Sequence, residues 1–265
     1  MATHGNRTGT VSVWAGDLTG VPFRDEASAA PHYAASTMKL PLLVAAHRLH
    51  ERGELDLDQP VAVHNEFASA LDDTPYSLEQ ADDQDDETWA ALGGTRTLRA
   101  LARASVVRSG NLATNLVLEH VGAGAVGDVL RDAGCTSTTV LPRGIGDAAA
   151  REAGIDNVVT AADLGMVMAA LADGRLAEAE TSRALEAVLA DQQHRDKIPA
   201  GLPADTYVAN KTGWVDGVAH DVALVRPAGA APYVLAVCTT TELSDEAASR
   251  LIAEVSRAIW EERTG

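Results

Sequence analysis

Two side chains able to do covalent chemistry stand close together near the start of the chain. In YAASTMKLPLLVAAHRL, Tyr33 to Leu49, Ser36 precedes Lys39 by three positions at the mouth of an apolar run. Residues i and i+3 share a helical face, so hydroxyl and amine come within hydrogen-bond reach if Ser36 opens a helix. Pro41 fits that placement, because its missing N–H falls in the first turn, where backbone donors have no partner anyway. A hydroxyl there also sits beside free N–H groups and the positive end of the helix dipole, which suits developing negative charge. Taken alone, the pair reads better as a capped helix with an incidental lysine than as a reactive centre. Ser is a favoured cap, and average composition yields a Ser-x-x-Lys match about once per chain of this size.

Two further motifs change that reading. RSGN places Ser109 and Asn111 at a break between helical patterns, and NKTGW places Lys211, Thr212 and Gly213 on a strand-like run. A Lys-Thr-Gly match is expected in about one chain in twenty by chance, and the three motifs in this order are far rarer. Lysine occurs only at 39, 197 and 211, every other basic side chain being arginine or histidine. Arginine stays protonated and cannot act as a base, so lysine at these positions is chemically sensible.

The elements that must hold these groups fall into two kinds. GTVSVWAG near the start alternates as a half-buried strand, and DTYVANKTG, HDVALVRP and APYVLAVCTT near the end are strand-like runs separated by the turns WVDG and PAGAAP, as in an antiparallel meander. SDEAASRLIAEVSRAIWEE reads as a Ser-capped terminal helix. Between them the pattern is helical, in STMKLPLLVAAHRLHERG, TRTLRALARASVV, LATNLVLEHVG, AGAVGDVLRDAG, TAADLGMVMAALADG and EAETSRALEAVLADQQ. Residues 1–34 together with 194–265 are therefore expected to build a sheet lobe, and 35–193 a helical lobe carrying the nucleophile, with a cleft between them. Two segments fit neither kind: the acidic Leu71–Thr88, read as a solvated loop, and the glycine-punctuated Leu141–Asn157, read as an omega-type loop.

Composition removes other functions. A formal net charge of -17 disfavours nucleic acid and anionic membrane surfaces, which bind clustered Lys and Arg. No apolar run approaches the roughly 20 residues of a membrane span, and MATHGNRTGTV lacks the pattern of a secretory signal, so a cytoplasmic location is expected. Cys135 and Cys238 have no metal-like spacing, and His47 with His50 reads as a surface pair without a third ligand, so no metal or other cofactor is expected. His220 and Asp221 are adjacent on a strand and point to opposite faces, which makes a triad using both awkward.

With its three motifs, STMK, SGN and KTG, the chain resembles the serine β-lactamase and penicillin-binding protein family, most closely the class A branch. The resemblance implies an α+β fold, with an antiparallel five-stranded sheet flanked by terminal helices plus an all-helical lobe. It implies Ser36 as the acylated nucleophile, Lys39 as its base, and Ser109 as a proton relay to the leaving amine. Asn111 would hydrogen-bond the substrate amide, and Lys211 with Thr212 would receive a substrate carboxylate. The backbone N–H groups of Ser36 and Trp214, the latter just after Gly213, would form the oxyanion hole. The substrate would be a small or peptide-like acyl compound. Two departures stand out. The second motif has Gly110 where class A enzymes have Asp. With Arg143 taken as the family's loop arginine, the position of the deacylating glutamate falls at Ile145, with Asp147 and Glu152 nearby but out of register. An isoleucine cannot activate water, so acylation with slow deacylation is expected, by a hydrolase or by an acyltransferase or D,D-peptidase-like enzyme, with a non-catalytic penicillin-binding sensor as the remaining alternative.

Overall fold

The computed structural model describes residues 9–264. Strand β1 (Thr10–Gly16), its hairpin partner β2 (Pro22–Glu26), β3 (Tyr207–Val215), β4 (Val218–Arg226) and β5 (Tyr233–Thr240) form one antiparallel sheet in the order β2-β1-β5-β4-β3. The β3–β4 hairpin closes through Asp216 and Gly217, where Val215 pairs with Val218 and Gly217 takes φ 74°, the positive φ that favours glycine in such turns. β2 carries no apolar alternation, because PFRDE lies at an exposed edge. The terminal helix expected at the carboxyl end is α6 (Asp245–Thr264); one at the amino end would fall on residues 1–8, outside the described residues.

The helices between are α1 (Lys39–Glu51), α2 (Leu98–Val107), α3 (Asn111–Asp132), α4 (Ala161–Ala172) and α5 (Ala179–Ala190). The two helical patterns after Ser109 join as the single α3, kinked where Gly122 adopts φ 76° and ψ 147°. Ser36 lies in a 3-10 turn, Ala35–Met38, that runs straight into α1, and the first nine residues of α1 are all buried. Among these is His47, 8% exposed, so its reading as a surface histidine is corrected: it lies on the core side of α1, and burial pushes its pKa down to about 4.

Strand parity divides the sheet between two cores. Ala209, Val222, Leu224, Val234 and Ala236 face the central helices, while Val208, Ala219, Ala223, Leu235 and Val237 face α6. On the first face Trp14 of β1 packs with Leu164 and Met168 of α4. Gly165 permits that contact, because a Cβ there would enter the Trp14 ring. Gly165→Ala therefore separates two opposed effects. Helix propensity alone would stabilise by about 1 kcal/mol, whereas overpacking costs about 1–3 kcal/mol. Thermal unfolding should show a lower Tm for Gly165→Ala, and a raised Tm would contradict the packing described.

Candidate active site

The site forms where the Ala35–Met38 turn, the α2–α3 junction and β3 meet. Ser36, Ser109, Asn111, Trp214 and Ile145 line one cavity of about 680 Å3, together with Tyr33, Leu78 and the charged Glu79, Asp82, Arg151 and Asp216. Glycine 213 is required by the approach of β3: a Cβ on it would stand 2.8 Å from the backbone nitrogens of both Ser36 and Thr37. Two non-glycine residues beside this meeting point hold positive φ, Ala35 at 44° and Ser109 at 61°. Such strain persists only where surrounding contacts enforce it, and it concentrates at functional sites.

Lys39 and Lys211 are both fully buried. The Lys39 amine donates to the Ser109 carbonyl at 2.6 Å, the Asn111 Oδ1 at 2.9 Å and the Ser109 hydroxyl at 3.4 Å. The Lys211 amine donates to the same Ser109 hydroxyl at 3.0 Å and to its neighbour's carbonyl, that of Thr212, at 2.6 Å. Ser109 thus stands between the two amines. The expected Ser36–Lys39 hydrogen bond is replaced by these, since all three donors of the Lys39 ammonium point at the α2–α3 junction. Burial pushes the Lys39 pKa down to about 7, against the opposing pull of the Asp83 and Asp85 carboxylates. Burial, and then the positive charge on Lys39, push Lys211 well below its ordinary value.

Several sequence expectations need correction here. Lys211 and Thr212 do not act as a pair facing the cavity: parity sets Lys211 toward the helices and Thr212 toward the α6 side, where its hydroxyl donates to the His220 carbonyl at 3.0 Å. The same rule separates His220, whose Nε2 lies 2.8 Å from the Tyr33 carbonyl, from Asp221, which accepts from the Ile198 N–H and the Asn210 amide. Asn111 Nδ2 already donates to the Asp82 carbonyl at 2.9 Å, across the side assigned to a substrate amide. Asp147 is no loose acid near Ile145. It is buried, accepts from the Ser69 hydroxyl at 2.7 Å and the Ala70 N–H at 2.8 Å, and caps the turn Ala148–Glu152 through the Ala150 N–H. Glu152 is exposed, and Arg151 rather than Glu152 borders the cavity.

The acidic stretch is not merely solvated, because two of its carboxylates turn inward. Asp83 accepts from the N–H groups of Asn111 and Leu112 at 2.7 and 2.8 Å, capping α3, and from the Trp89 indole at 2.8 Å. Asp85 is fully buried and pairs with Arg108 at 2.5 Å. The sequence carried a signal for this: Thr88 and Trp89, a hydroxyl and an indole donor, stand directly after the acids, and a run meant only for solvent has no use for a tryptophan. Asn115 also went unread. It is four residues after Asn111 on the same helix face, and it clamps Ile145 by accepting from the Ile145 N–H at 2.8 Å and donating to its carbonyl at 2.9 Å. Among the described residues no cluster of His, Cys, Asp or Glu suits a metal ion, and no helix is long and apolar enough to cross a membrane.

Residues 2–262 match the profile of the β-lactamase enzyme family, Beta-lactamase2. The chain belongs to this family. A β-lactamase of Amycolatopsis lactamdurans is 30% identical over 95% of this chain and 78% of its own. One from Streptomyces fradiae is 32% identical over 63% of this chain and 56% of its own, and one from Nocardia asteroides, named AST-1, is 33% identical over 54% of its own length, so the chain spans about half of these two relatives. Among solved structures, the β-lactamase of Sphaerobacter thermophilus superposes with a TM-score of 0.80 at 28% identity, covering 96% of this chain and 92% of that one. PBP-A superposes at 0.79 with 21% identity, over 98% and 91%, a likeness of fold.

The lowered pKa of Lys39 has a stability consequence. Between about pH 7 and its ordinary value of 10.5 the unfolded chain holds a proton that the folded one has lost, so the Lys39 contribution to stability rises with pH across that window. Urea unfolding at pH 7 and pH 9 should show a smaller gain with pH in Lys39→Met than in the unsubstituted protein. Equal gains would mean that Lys39 keeps its proton when folded.

Proposed function

We propose that the protein is a serine acyl-enzyme hydrolase that acylates readily at Ser36 and deacylates slowly. The observation that carries this reading is that Ser36 lines the cavity three residues before the fully buried Lys39, whose amine meets Ser109 and Asn111 of the same cavity; burial pushes the Lys39 pKa down to about 7. As a neutral amine Lys39 gives up one of its three donor bonds and gains a lone pair, which takes the proton of the Ser36 hydroxyl. The Ser36 oxygen attacks the carbonyl carbon of a lactam, amide or ester. Negative charge then gathers on the carbonyl oxygen beside the N–H groups of Ser36 and Trp214. For a lactam or amide, the carbon–nitrogen bond breaks, and the leaving nitrogen receives its proton from the Ser109 hydroxyl, which is replenished from Lys39 across their 3.4 Å contact.

Removal of the acyl group is the weak step. The Ile145 side chain has no polar atom, and the nearby Asp147 carboxylate is occupied by three hydrogen bonds, from the Ser69 hydroxyl, the Ala70 N–H and the Ala150 N–H. The same feature favours a second reading, acyl transfer to an amine in the manner of a D,D-peptidase-like enzyme, in which slow attack by water protects the intermediate. Product analysis with and without an added amine separates the two.

Incubation with a penicillin should leave a persistent mass adduct, absent in Ser36→Ala. Rapid turnover with no adduct would refute slow deacylation, and absence of both turnover and adduct across penicillins, thioesters and fluorophosphonates would leave a binding protein. Ile145→Glu places a carboxylate on backbone that Asn115 already holds in position. Loss of the adduct should then accelerate by at least about 10²-fold, the low end of general-base assistance. Acylation should quicken as pH rises through about 7, where Lys39 loses its proton.

A further inference from the structure

The acidic segment has no part in the reaction scheme above, yet it meets the site at the one motif position that departs from the family pattern. Gly110 is buried. A Cβ built on it would stand 2.7 Å from the Asp85 Cβ and 2.9 Å from Asp85 Oδ2. Positions 85 and 110 therefore compete for one volume, which holds one carboxylate and not two.

We propose that Asp85 is a positioning residue for the catalytic amine: its carboxylate, carried in by the acidic segment, fills the place that a side chain at position 110 would occupy and fixes the Ser109–Asn111 turn against Lys39. Asp85 Oδ1 accepts from Arg108 Nε at 2.5 Å, and its Oδ2 accepts from the Thr88 hydroxyl. Arg108 directly precedes Ser109, whose carbonyl receives the shortest Lys39 hydrogen bond. The turn is one that would relax if released, because Ser109 holds φ 61°. The rest of the segment secures its far end: Asp83 caps the Asn111 and Leu112 N–H groups, and the Asp82 carbonyl accepts from Asn111 Nδ2. A segment that looks like solvated surface thus supplies a carboxylate beside the motif position that Gly110 leaves without one.

This inference rests on reading Lys39 as the base for Ser36, and it extends to the proton itself. The charges acting on Lys39 are the carboxylates of Asp83 and Asp85, which favour its ammonium form, and the adjacent Lys211, which opposes it. Lys211 is in turn acted on by Asp221 and Lys197. Around Asp85 itself lie Arg108 and, paired to Arg108 at 3.3 Å, Glu87. Removing the Asp85 charge leaves the ammonium form less favoured, so Lys39 should lose its proton at lower pH.

The chain offers a direct way to see this, because lysine labelled at Cε gives only three side-chain signals, with Lys39→Arg identifying one of them. Asp85→Asn should move the Lys39 titration to lower pH, move the rising limb of acylation by a fluorescent penicillin in the same direction, and slow acylation by about 10- to 10²-fold through the loosened turn. Two double variants then separate charge from packing. Asp85→Gly with Gly110→Asp returns the carboxylate to the motif, and Asp85→Gly with Gly110→Ala fills the same space without it. The first should recover the titration and the acylation rate, and the second should recover neither. Equal behaviour of the two doubles, or an unmoved Lys39 titration in Asp85→Asn, would overturn the proposal. If the unsubstituted protein takes up no penicillin, the reading of Ser36 fails, while the lysine titration still decides the role of Asp85.

Discussion

Two lysine amines, both fully buried, converge on one serine hydroxyl, and the arrangement around them follows from that constraint. Lys39 and Lys211 each hydrogen-bond the Ser109 oxygen. Two ammonium groups sharing one acceptor in a dry site repel strongly, and burial penalises each separately, so the site cannot hold both protons comfortably. Carboxylates ease this from two sides. Asp83 and Asp85 act on Lys39 from the helical side, while Asp221 acts on Lys211 from the other face of the sheet. Asp221 is itself buried, and desolvation raises its pKa to about 6. The site therefore holds its protons loosely, as a group that must take and return a proton within one reaction requires.

Ile145 shows the opposite condition, a rigid position with no chemistry on it. Asn115 fixes both backbone polar groups of Ile145, and the neighbouring Arg143 is buried against Asp156, the Gly144 carbonyl and the face of Tyr33. Asp147 ties the loop to Ser69 and Ala70. The Asn115, Arg143 and Asp147 side chains are thus committed to holding the loop. On the proposed reading, this is a framework that would orient a carboxylate at position 145, where the chain has isoleucine.

Much of this was legible in the residues, and the parts that were not share a physical cause. The strands β1, β3, β4 and β5 announce themselves as short apolar runs bounded by turn signals, buried against the central helices on one face and α6 on the other; β2 does not, because an edge strand exposed on both faces carries no apolar run. The motif order singled out Ser36, Ser109, Asn111 and Lys211, and the structure brings Ser36, Ser109 and Asn111 to one cavity with the Lys211 amine bonded to Ser109 behind it. What failed was pairing. Whether Lys39 bonds to Ser36 or to Ser109 depends on which groups the α2–α3 junction brings within 3 Å, and helical spacing says nothing of a partner seventy residues away. Thr212 was misassigned for a simpler reason, since the parity rule that separates His220 from Asp221 separates Lys211 from Thr212 as well. Asp83 and Asp85 were hidden by composition: in a run of five acids, charge predicts exposure for the group and cannot say which two turn inward.

The charge on the cavity rim bears on what would release an acyl group from Ser36. Glu79, Asp82 and Asp216 stand on the lining with Arg151 as the single cationic side chain among the lining residues, in a chain of formal net charge -17. Such a field slows the approach of anions and concentrates cations near the mouth. Water, the acceptor in hydrolysis, gains nothing from it and finds no base at Ile145. An amine acceptor is an ammonium ion in solution, so the rim draws it in, and once inside it must pass a proton to a group poised near neutrality. Under the proposed scheme Lys39 would fit that requirement after acylation, once the proton taken from Ser36 had left with the departing nitrogen through Ser109. On the second reading, acyl transfer, isoleucine at position 145 and the acidic rim would act in the same direction, both favouring an amine over water as the acceptor.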